Sequence, residues 1–88
     1  PFPGGRIMTI DVVYFARYRE LLGVDGESLE GSFACIEDVR QALLGKGERY
    51  AVLAEQNLMC ARNQDLCRLD EPLADGDEVA FFPPVTGG

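Results

Sequence analysis

Only one stretch of this sequence has a strong helical pattern, and this limits how the rest of the chain can fold. Residues Ile36, Val39 and Leu43 fall at i, i+3 and i+7, so they form one apolar stripe. The segments on either side are β-branched and aromatic, from Ile7–Phe15 to Glu78–Phe82. Two strands, then a helix, then more strands is typical of the α+β class, with a mixed sheet packed on one main helix.

Three shorter segments carry local signals. The segment ARYRELLG predicts a short helix that ends at Gly23. A turn at Asp25-Gly26 is expected to lead into a short charged strand of the kind found at sheet edges. One further helical turn is expected in ERYAVLAEQ. The last strand is predicted to end at Phe82, because Pro83-Pro84 cannot donate ladder hydrogen bonds.

The segment LMCARNQDLCRL predicts a β-hairpin about Asn63-Gln64. A two-residue loop gives three cross-strand pairs: Arg62 with Asp65, Ala61 with Leu66, and Cys60 with Cys67. The cysteine pair is then a hydrogen-bonded one, in which the backbones stand about 5.5 Å apart. The chain has three cysteines, an odd number, and we expect no signal peptide, because no charged segment followed by an apolar segment is recognised near its start. We therefore predict free thiols in a reducing, cytoplasmic compartment.

Charge and composition exclude several classes of function. The chain has 8 basic and 15 acidic residues, a net charge of −7, which argues against nucleic acid and anionic membranes and favours basic partners. Histidine is absent and the cysteines lack zinc spacing, so no histidine catalysis and no metal site is predicted. No run approaches the roughly 18 apolar residues of a membrane-spanning helix. The acidic segment 70–78 lacks EF-hand spacing and is predicted to be a solvated turn.

The ends of the chain differ from the middle. Residues 1–6 fit no element, and we expect residues 1–7 to be an added remnant or a disordered N-terminus, with Met8 as the natural start and residues 8–82 as one domain. Residues 83–88 are predicted to form a flexible, projecting tail, made of Pro83, Pro84, Val85, Thr86, Gly87 and Gly88. Its reach from Phe82 is roughly 20 Å when extended.

The tail presents one reactive group, the α-carboxylate of Gly88. Gly87 and Gly88 lack Cβ, so the tip can enter a slot too narrow for a side chain. A carboxylate is a poor electrophile. Adenylation would give it a good leaving group, after which sulfide or a thiol could attack the acyl carbon. We therefore predict that the terminal carboxylate is a chemical handle used in another protein's active site.

A docking patch is predicted beside the tail. One helix covers only one face of a small sheet, so alternate residues of the first and last strands remain on the open face. These are Val13 and Phe15, and Ala80 and Phe82. Exposed aromatic residues are enriched at binding surfaces. Arg19 is expected at the border of this patch.

Three segments resemble one family. DGDEVAFFPPVTGG is similar to the C-terminus of the small, sulfur-carrying subunits of molybdopterin synthase, which have a ubiquitin-like β-grasp fold. VVYFARYRELLG resembles the family's first strand and helix, and IEDVRQAL its central helix. The resemblance covers Met8 to Gly88.

The resemblance implies a sulfur carrier without catalytic side chains of its own. A ubiquitin-activating-type enzyme would adenylate Gly88 with ATP, and a sulfurtransferase would convert it to a thiocarboxylate. The tail would insert into the large synthase subunit, in a heterotetramer, and give sulfur to cyclic pyranopterin monophosphate in molybdenum cofactor biosynthesis. Phe15 and Phe82 match family positions that pack against both partners.

Three alternatives remain at this point. The chain could be a sulfur carrier of the same fold for thiamine or for tRNA thiolation. It could be a ubiquitin-like modifier that is conjugated to target lysines through Gly88. It could also be a non-covalent binding module whose tail is only an anchor.

Overall fold

The computed structural model describes residues 7–84. Its elements in chain order are β1 (Met8–Tyr14), α1 (Ala16–Leu22), β2 (Gly26–Gly31), α2 (Ile36–Leu44), a 3-10 helix (Glu48–Ala54), β3 (Met59–Arg62), β4 (Asp65–Cys67) and β5 (Glu78–Phe82). The predicted order of strands and helices is confirmed. The expectations for residues 1–6 and for tail residues 85–88 concern segments outside the described residues. No helix between residues 7 and 84 is long and apolar enough to cross a membrane.

The five strands form one mixed sheet in the order β2-β1-β5-β3-β4. The last strand, β5, lies in the middle, parallel to β1 and antiparallel to β3. The edge position predicted for β2 is confirmed, and the short β4 forms the other edge. Because β5 leads into the tail, the tail begins at the centre of the sheet rather than at its rim.

Helix α2 packs on one face of this sheet. The apolar stripe of the helix is buried, as are the alternate residues of β1 and β5 that face it. These core residues include Ile36, Val39 and Leu43 from the helix, and Ile10, Val12, Tyr14, Val79 and Phe81 from the sheet. Full burial of a large apolar side chain is worth about 1.5–3 kcal/mol. The predicted α+β arrangement on one main helix is confirmed.

Local chemistry explains where the helices begin and end. α1 ends at Gly23, whose φ of +78° is left-handed and whose N–H donates to the Arg19 carbonyl at 2.9 Å. At the start of α2, Cys35 provides no side-chain cap. The Asp38 carboxylate compensates by accepting the N–H of Ala34 at 2.8 Å. This carboxylate in the first turn also complements the helix dipole.

The predicted hairpin register is confirmed, including the pairing of Cys60 with Cys67. Both thiols are free, as predicted. The Cys60 Sγ–H donates to the Cys67 carbonyl at 3.4 Å. Burial raises the pKa of the Cys60 thiol to about 12, so this cysteine is an unreactive core residue.

One acidic residue of segment 70–78 behaves differently from the prediction. Asp77 is buried, so the expectation of a wholly solvated turn was wrong at this position. Its Oδ2 accepts the Arg62 Nε–H and the Ala74 N–H, both at 2.8 Å, and its Oδ1 accepts the Asn63 Nδ2–H at 3.1 Å. The carboxylate therefore joins the hairpin to the loop before β5.

Candidate functional site

The open face of the sheet, opposite α2, carries a groove of about 320 Å³. We call it the docking groove, and it is lined by Phe15, Ala61, Gln64, Leu66, Glu78, Ala80 and Phe82. Three of the strands and the hairpin turn contribute to it. The groove is therefore a product of the sheet order and not of one continuous segment.

The floor of the docking groove is part of a row of apolar residues that runs across the sheet, with two alanines at its centre. Val13 pairs with Ala80, Ala80 with Ala61, and Ala61 with Leu66. Directly paired residues point to the same face, so this row spans four strands. Ala80 and Ala61 are 7% and 3% exposed, whereas Leu66, on the edge strand, is 67% exposed.

Ala80 requires a correction to the sequence prediction. It lies on the open face, as predicted, but it is buried and not exposed. The reason is its position: Ala80 is flanked on β5's two neighbouring strands by Val13 and Ala61, and its single methyl group leaves little surface between them. Val13, in the same row, is half-buried.

Two aromatic rings form the apolar wall of the groove. Phe15 and Phe82 are stacked, with ring centroids 4.8 Å apart and planes 7° from parallel. Phe15 follows β1 and remains 39% exposed, and Phe82 is the last residue of β5. Stacked aromatic pairs are worth about 0.5–1.5 kcal/mol beyond their buried area. The two residues predicted from strand alternation thus form one apolar surface.

Four lining residues were not among the predicted site residues, namely Ala61, Gln64, Leu66 and Glu78. The sequence did contain a signal for two of them, because the hairpin count pairs Ala61 with Leu66. The hairpin register does not say which strand lies on the other side of β3. The sheet order shows that this strand is β5. Gln64 and Glu78 are polar lining residues, and both lie where the hairpin turn meets the start of β5, since the neighbouring Asn63 N–H donates to the Glu78 carbonyl at 2.8 Å.

Arg19 is exposed on α1 and does not line the docking groove. Its Nε lies 3.9 Å from an Asp25 carboxylate oxygen. Exposed ion pairs of this kind contribute little to stability. The structure therefore does not bring this predicted interface residue together with the other four.

The groove leads directly to the root of the tail. Pro83 and Pro84 follow Phe82 outside any strand and are half-buried, consistent with the predicted end of the sheet. The other predicted tail residues, Val85, Thr86, Gly87 and Gly88, lie outside the described residues. Within the described range, 7–84, no cluster of three or more acidic, cysteine or histidine side chains is placed to hold a metal ion.

A cluster of hydrogen bonds around Glu27 joins several elements of the fold, and it lies outside the docking groove. Glu27 accepts hydrogen bonds from the hydroxyls of Tyr14 and Tyr50, at 2.8 and 2.9 Å, and from Lys46. Burial on its own would raise the pKa of Glu27, but these three donors outweigh it and lower the pKa. Burial, together with the bond to this carboxylate, raises the pKa of Tyr14. Neither group is placed to react with a ligand in the groove.

Comparison with known proteins gives a consistent family assignment. Residues 12–88 match the ThiS family. The molybdopterin synthase sulfur carrier subunit of Escherichia coli (strain K12) is 48% identical over 80 residues, which cover 90% of this chain and 99% of that protein. The subunit of the same name from Haemophilus influenzae is 49% identical, with the same coverage.

Solved structures agree with the fold. The crystal structure of SAMP1 from Haloferax volcanii has a TM-score of 0.76 at 27% identity, covering 91% of this chain and 99% of that one. A complex of subunits 1 and 2 of the molybdopterin-converting factor from Helicobacter pylori 26695 contains a chain with a TM-score of 0.61 at 27% identity, covering 92% and 100% of the two chains.

The five-stranded mixed sheet with its helices defines a protein of the β-grasp class, as the resemblance implied. The chain belongs to the ThiS family and, within it, to the molybdopterin synthase sulfur carrier subunits. This places it in molybdenum cofactor biosynthesis, as predicted from the C-terminal segment.

Proposed function

We propose that this chain carries sulfur as a thiocarboxylate on Gly88 and delivers it to the active site of the large synthase subunit. The observation that supports this most directly is the position of the docking groove. Its aromatic wall includes Phe82, and the tail begins at the next residue. A protein that covers the groove is therefore held next to the tail.

The chemistry begins with activation of the carboxylate. A ubiquitin-activating-type enzyme transfers AMP from ATP to the Gly88 carboxylate and releases pyrophosphate. Hydrosulfide, released from a sulfurtransferase by a thiol reductant, then attacks the acyl carbon, so that a C–S bond forms as the C–O bond to AMP breaks and AMP leaves. The carrier itself needs no catalytic side chain for either step.

Delivery follows from the amino-acid composition of the tail. Pro83 and Pro84 stiffen its base, and Gly87 and Gly88 allow its tip to enter a narrow channel. With an extended reach of roughly 20 Å from Phe82, the thiocarboxylate reaches an active site below the surface of the partner. Its sulfur is transferred there to cyclic pyranopterin monophosphate, and hydrolysis returns Gly88 to the carboxylate. Two such transfers supply the two sulfur atoms of the dithiolene.

The partner is the large subunit, and the assembly is a heterotetramer. The docking groove offers apolar area from Phe15 and Phe82. Its floor includes Ala61 and Ala80, whose small side chains leave room for a side chain of the partner. The Helicobacter pylori subunits 1 and 2 form a protein–protein complex, which supports the same pairing here. We place the reactions in the cytoplasm, where the free thiols of Cys60 and Cys67 stay reduced.

Reconstitution tests this function. Chemically thiocarboxylated protein is combined with the cognate large subunit and the pterin precursor, and the dithiolene product is measured. The matched control is the same protein with an ordinary carboxylate at Gly88, which is expected to give no product. Absence of product from the thiocarboxylated protein would direct attention to thiamine or tRNA thiolation.

A protein modifier is the second candidate, because small archaeal modifier protein 1 from Haloferax volcanii shares the fold at 26% identity. A modifier becomes attached to lysines of other proteins, whereas a carrier gains sulfur on its own terminus. Mass spectrometry of the chain isolated from its host separates the two. An O-to-S exchange on the free chain supports the carrier, and isopeptide-linked targets support the modifier.

A further inference from the structure

Backbone strain in this protein lies beside the docking groove. Among residues 7–84, four residues other than glycine have positive φ: Ala16 (54°), Asn57 (67°), Asn63 (50°) and Gln64 (74°). Asparagine tolerates this region comparatively well, whereas Ala and Gln do not. Ala16 directly follows Phe15, and Gln64 lines the groove. The two costly residues therefore both border one surface.

Gln64 occupies a turn position at which glycine is the usual residue. Asn63 and Gln64 are the central residues of a two-residue hairpin, and both have positive φ. This is the type I′ arrangement, which favours Asn-Gly strongly. Strained residues of this kind persist when the surroundings hold them, and they cluster at functional sites.

Hydrogen bonds from Asn63 hold the turn in this conformation. Its N–H donates to the Glu78 carbonyl at 2.8 Å, and its Oδ1 accepts the Glu78 N–H at 2.9 Å. Its Nδ2–H donates to Asp77 at 3.1 Å. The Asn63 side chain thus extends the ladder between β3 and β5, so the turn is fixed and Gln64 is held at the groove.

The side chain of Gln64 is not needed for the turn itself. Asn63 supplies the side-chain hydrogen bonds at this corner, and Gln64 adds none to any residue between 7 and 84. It is exposed, with two amide N–H donors and one carbonyl acceptor. A strained, exposed amide at the end of an apolar groove is placed to bind a polar group of a partner.

We propose that Gln64 is a specificity-determining contact for the large synthase subunit, with its carboxamide hydrogen-bonded to a polar group of that subunit at the end of the docking groove. The inference rests on the function proposed above. The large subunit is the occupant because it receives the tail, and Phe82 belongs to both the groove and the tail's root. Apolar contacts supply buried area but allow the two proteins to slide relative to each other. A hydrogen bond at the rim of the groove fixes their relative position.

Replacement of Gln64 by glycine tests the proposal, because two effects of opposite sign are expected. The Gln64→Gly protein loses the strain of a side chain at φ 74°, and its Tm rises by about 4–8 °C, as for a gain of about 1 kcal/mol in a domain of this size. Its Kd for the cognate large subunit, measured by isothermal titration calorimetry, weakens about three- to tenfold, as for loss of one hydrogen bond. A merely structural residue would lose affinity only together with stability.

Two further variants distinguish the effect of backbone strain from the effect of the Gln64 carboxamide. Gln64→Met keeps the length and the strain but removes the carboxamide, so the affinity falls as in Gln64→Gly while the Tm stays within about 2 °C of wild type. Asn57→Gly changes another left-handed residue, which does not line the groove. Its affinity for the large subunit is expected to equal that of wild type.

The outcomes are distinguishable. Wild-type affinity in both Gln64 variants overturns the inference and leaves the proposed function intact, since the wild-type chain still binds. A lower Tm in Gln64→Gly also overturns it, because the position is then not strained. Failure of the wild-type chain to bind the large subunit overturns the docking step of the proposed function itself.

Discussion

Phe15 and Phe82 stack face to face with their centroids 4.8 Å apart, although 66 residues separate them along the chain. The contact exists because β1 and β5 run side by side in parallel, with Tyr14 paired to Phe81. The stacked pair therefore stands at the end of both strands, where the tail begins. Under the proposed function, a partner that docks on this pair is therefore expected to receive the tail at the same time.

Truncation of Phe15 is expected to weaken docking far more than folding. In Phe15→Ala, loss of a central aromatic contact lowers affinity for the large subunit by about 2 kcal/mol, roughly 30-fold. The cost in stability is small because the ring is already 39% exposed. Leu21→Ala is the matched control, since Leu21 is 56% exposed and does not line the groove. Equal affinities of the two variants in calorimetry would contradict the role of the aromatic pair.

Extension of the chain by one alanine after Gly88 separates docking from chemistry. The extended protein keeps the groove and is expected to bind the large subunit with wild-type affinity. It no longer presents the Gly88 carboxylate, so formation of the thiocarboxylate, followed by mass spectrometry, is abolished. Cofactor synthesis that survives this extension would exclude the carrier mechanism.

Removal of the Asp77 carboxylate is expected to destabilise the fold. In Asp77→Ala, donors of Arg62, Asn63 and Ala74 lose their acceptor, at a cost of about 1–3 kcal/mol in the free energy of unfolding. Urea denaturation measures the change. Asp70→Ala, at an exposed position of the same segment, is expected to stay within about 0.5 kcal/mol of wild type. A similar loss in both variants would point to net charge and not to the buried network.

Acid is expected to destabilise the protein partly through Glu27. Its pKa is lowered in the folded state, since hydrogen bonds from Lys46, Tyr14 and Tyr50 outweigh the opposing effect of burial. Its contribution is therefore complete above the unfolded pKa of about 4.3 and is lost as the pH falls through the folded value.

The variant Glu27→Gln serves as the comparison. We expect it to be less stable than wild type at pH 7, with a difference that shrinks as the pH falls below about 4. Urea midpoints between pH 7 and pH 3 measure this difference. A difference that stays constant over that range would show that the charge of Glu27 is not what stabilises the fold.

Much of the frame could be predicted from local pattern. The alternation of β1 and β5 identified both Phe15 and Phe82 as residues of the open face, and the two-residue loop gave the hairpin register. These features depend on the alternation of side chains along a strand or on the length of a single turn. Such information is contained in a short segment of sequence.

The remainder depended on contacts between distant segments. The burial of Ala80 follows from Ala61 lying opposite it, and that pairing requires β5 to sit between β1 and β3. Asp77 lies in a segment with turn residues, and its partners Arg62 and Asn63 are 15 and 14 positions away. Neither arrangement has a local signature.

The central position of β5 has a consequence for synthesis of the protein on the ribosome. The sheet cannot be completed until its last strand has emerged, because β1 and β3 are joined only through it. A nascent chain interrupted before Phe82 lacks the middle strand of its own sheet, and we expect it to be open to degradation. Completion of the β-grasp core is therefore expected to follow synthesis of the chain as far as the root of the tail.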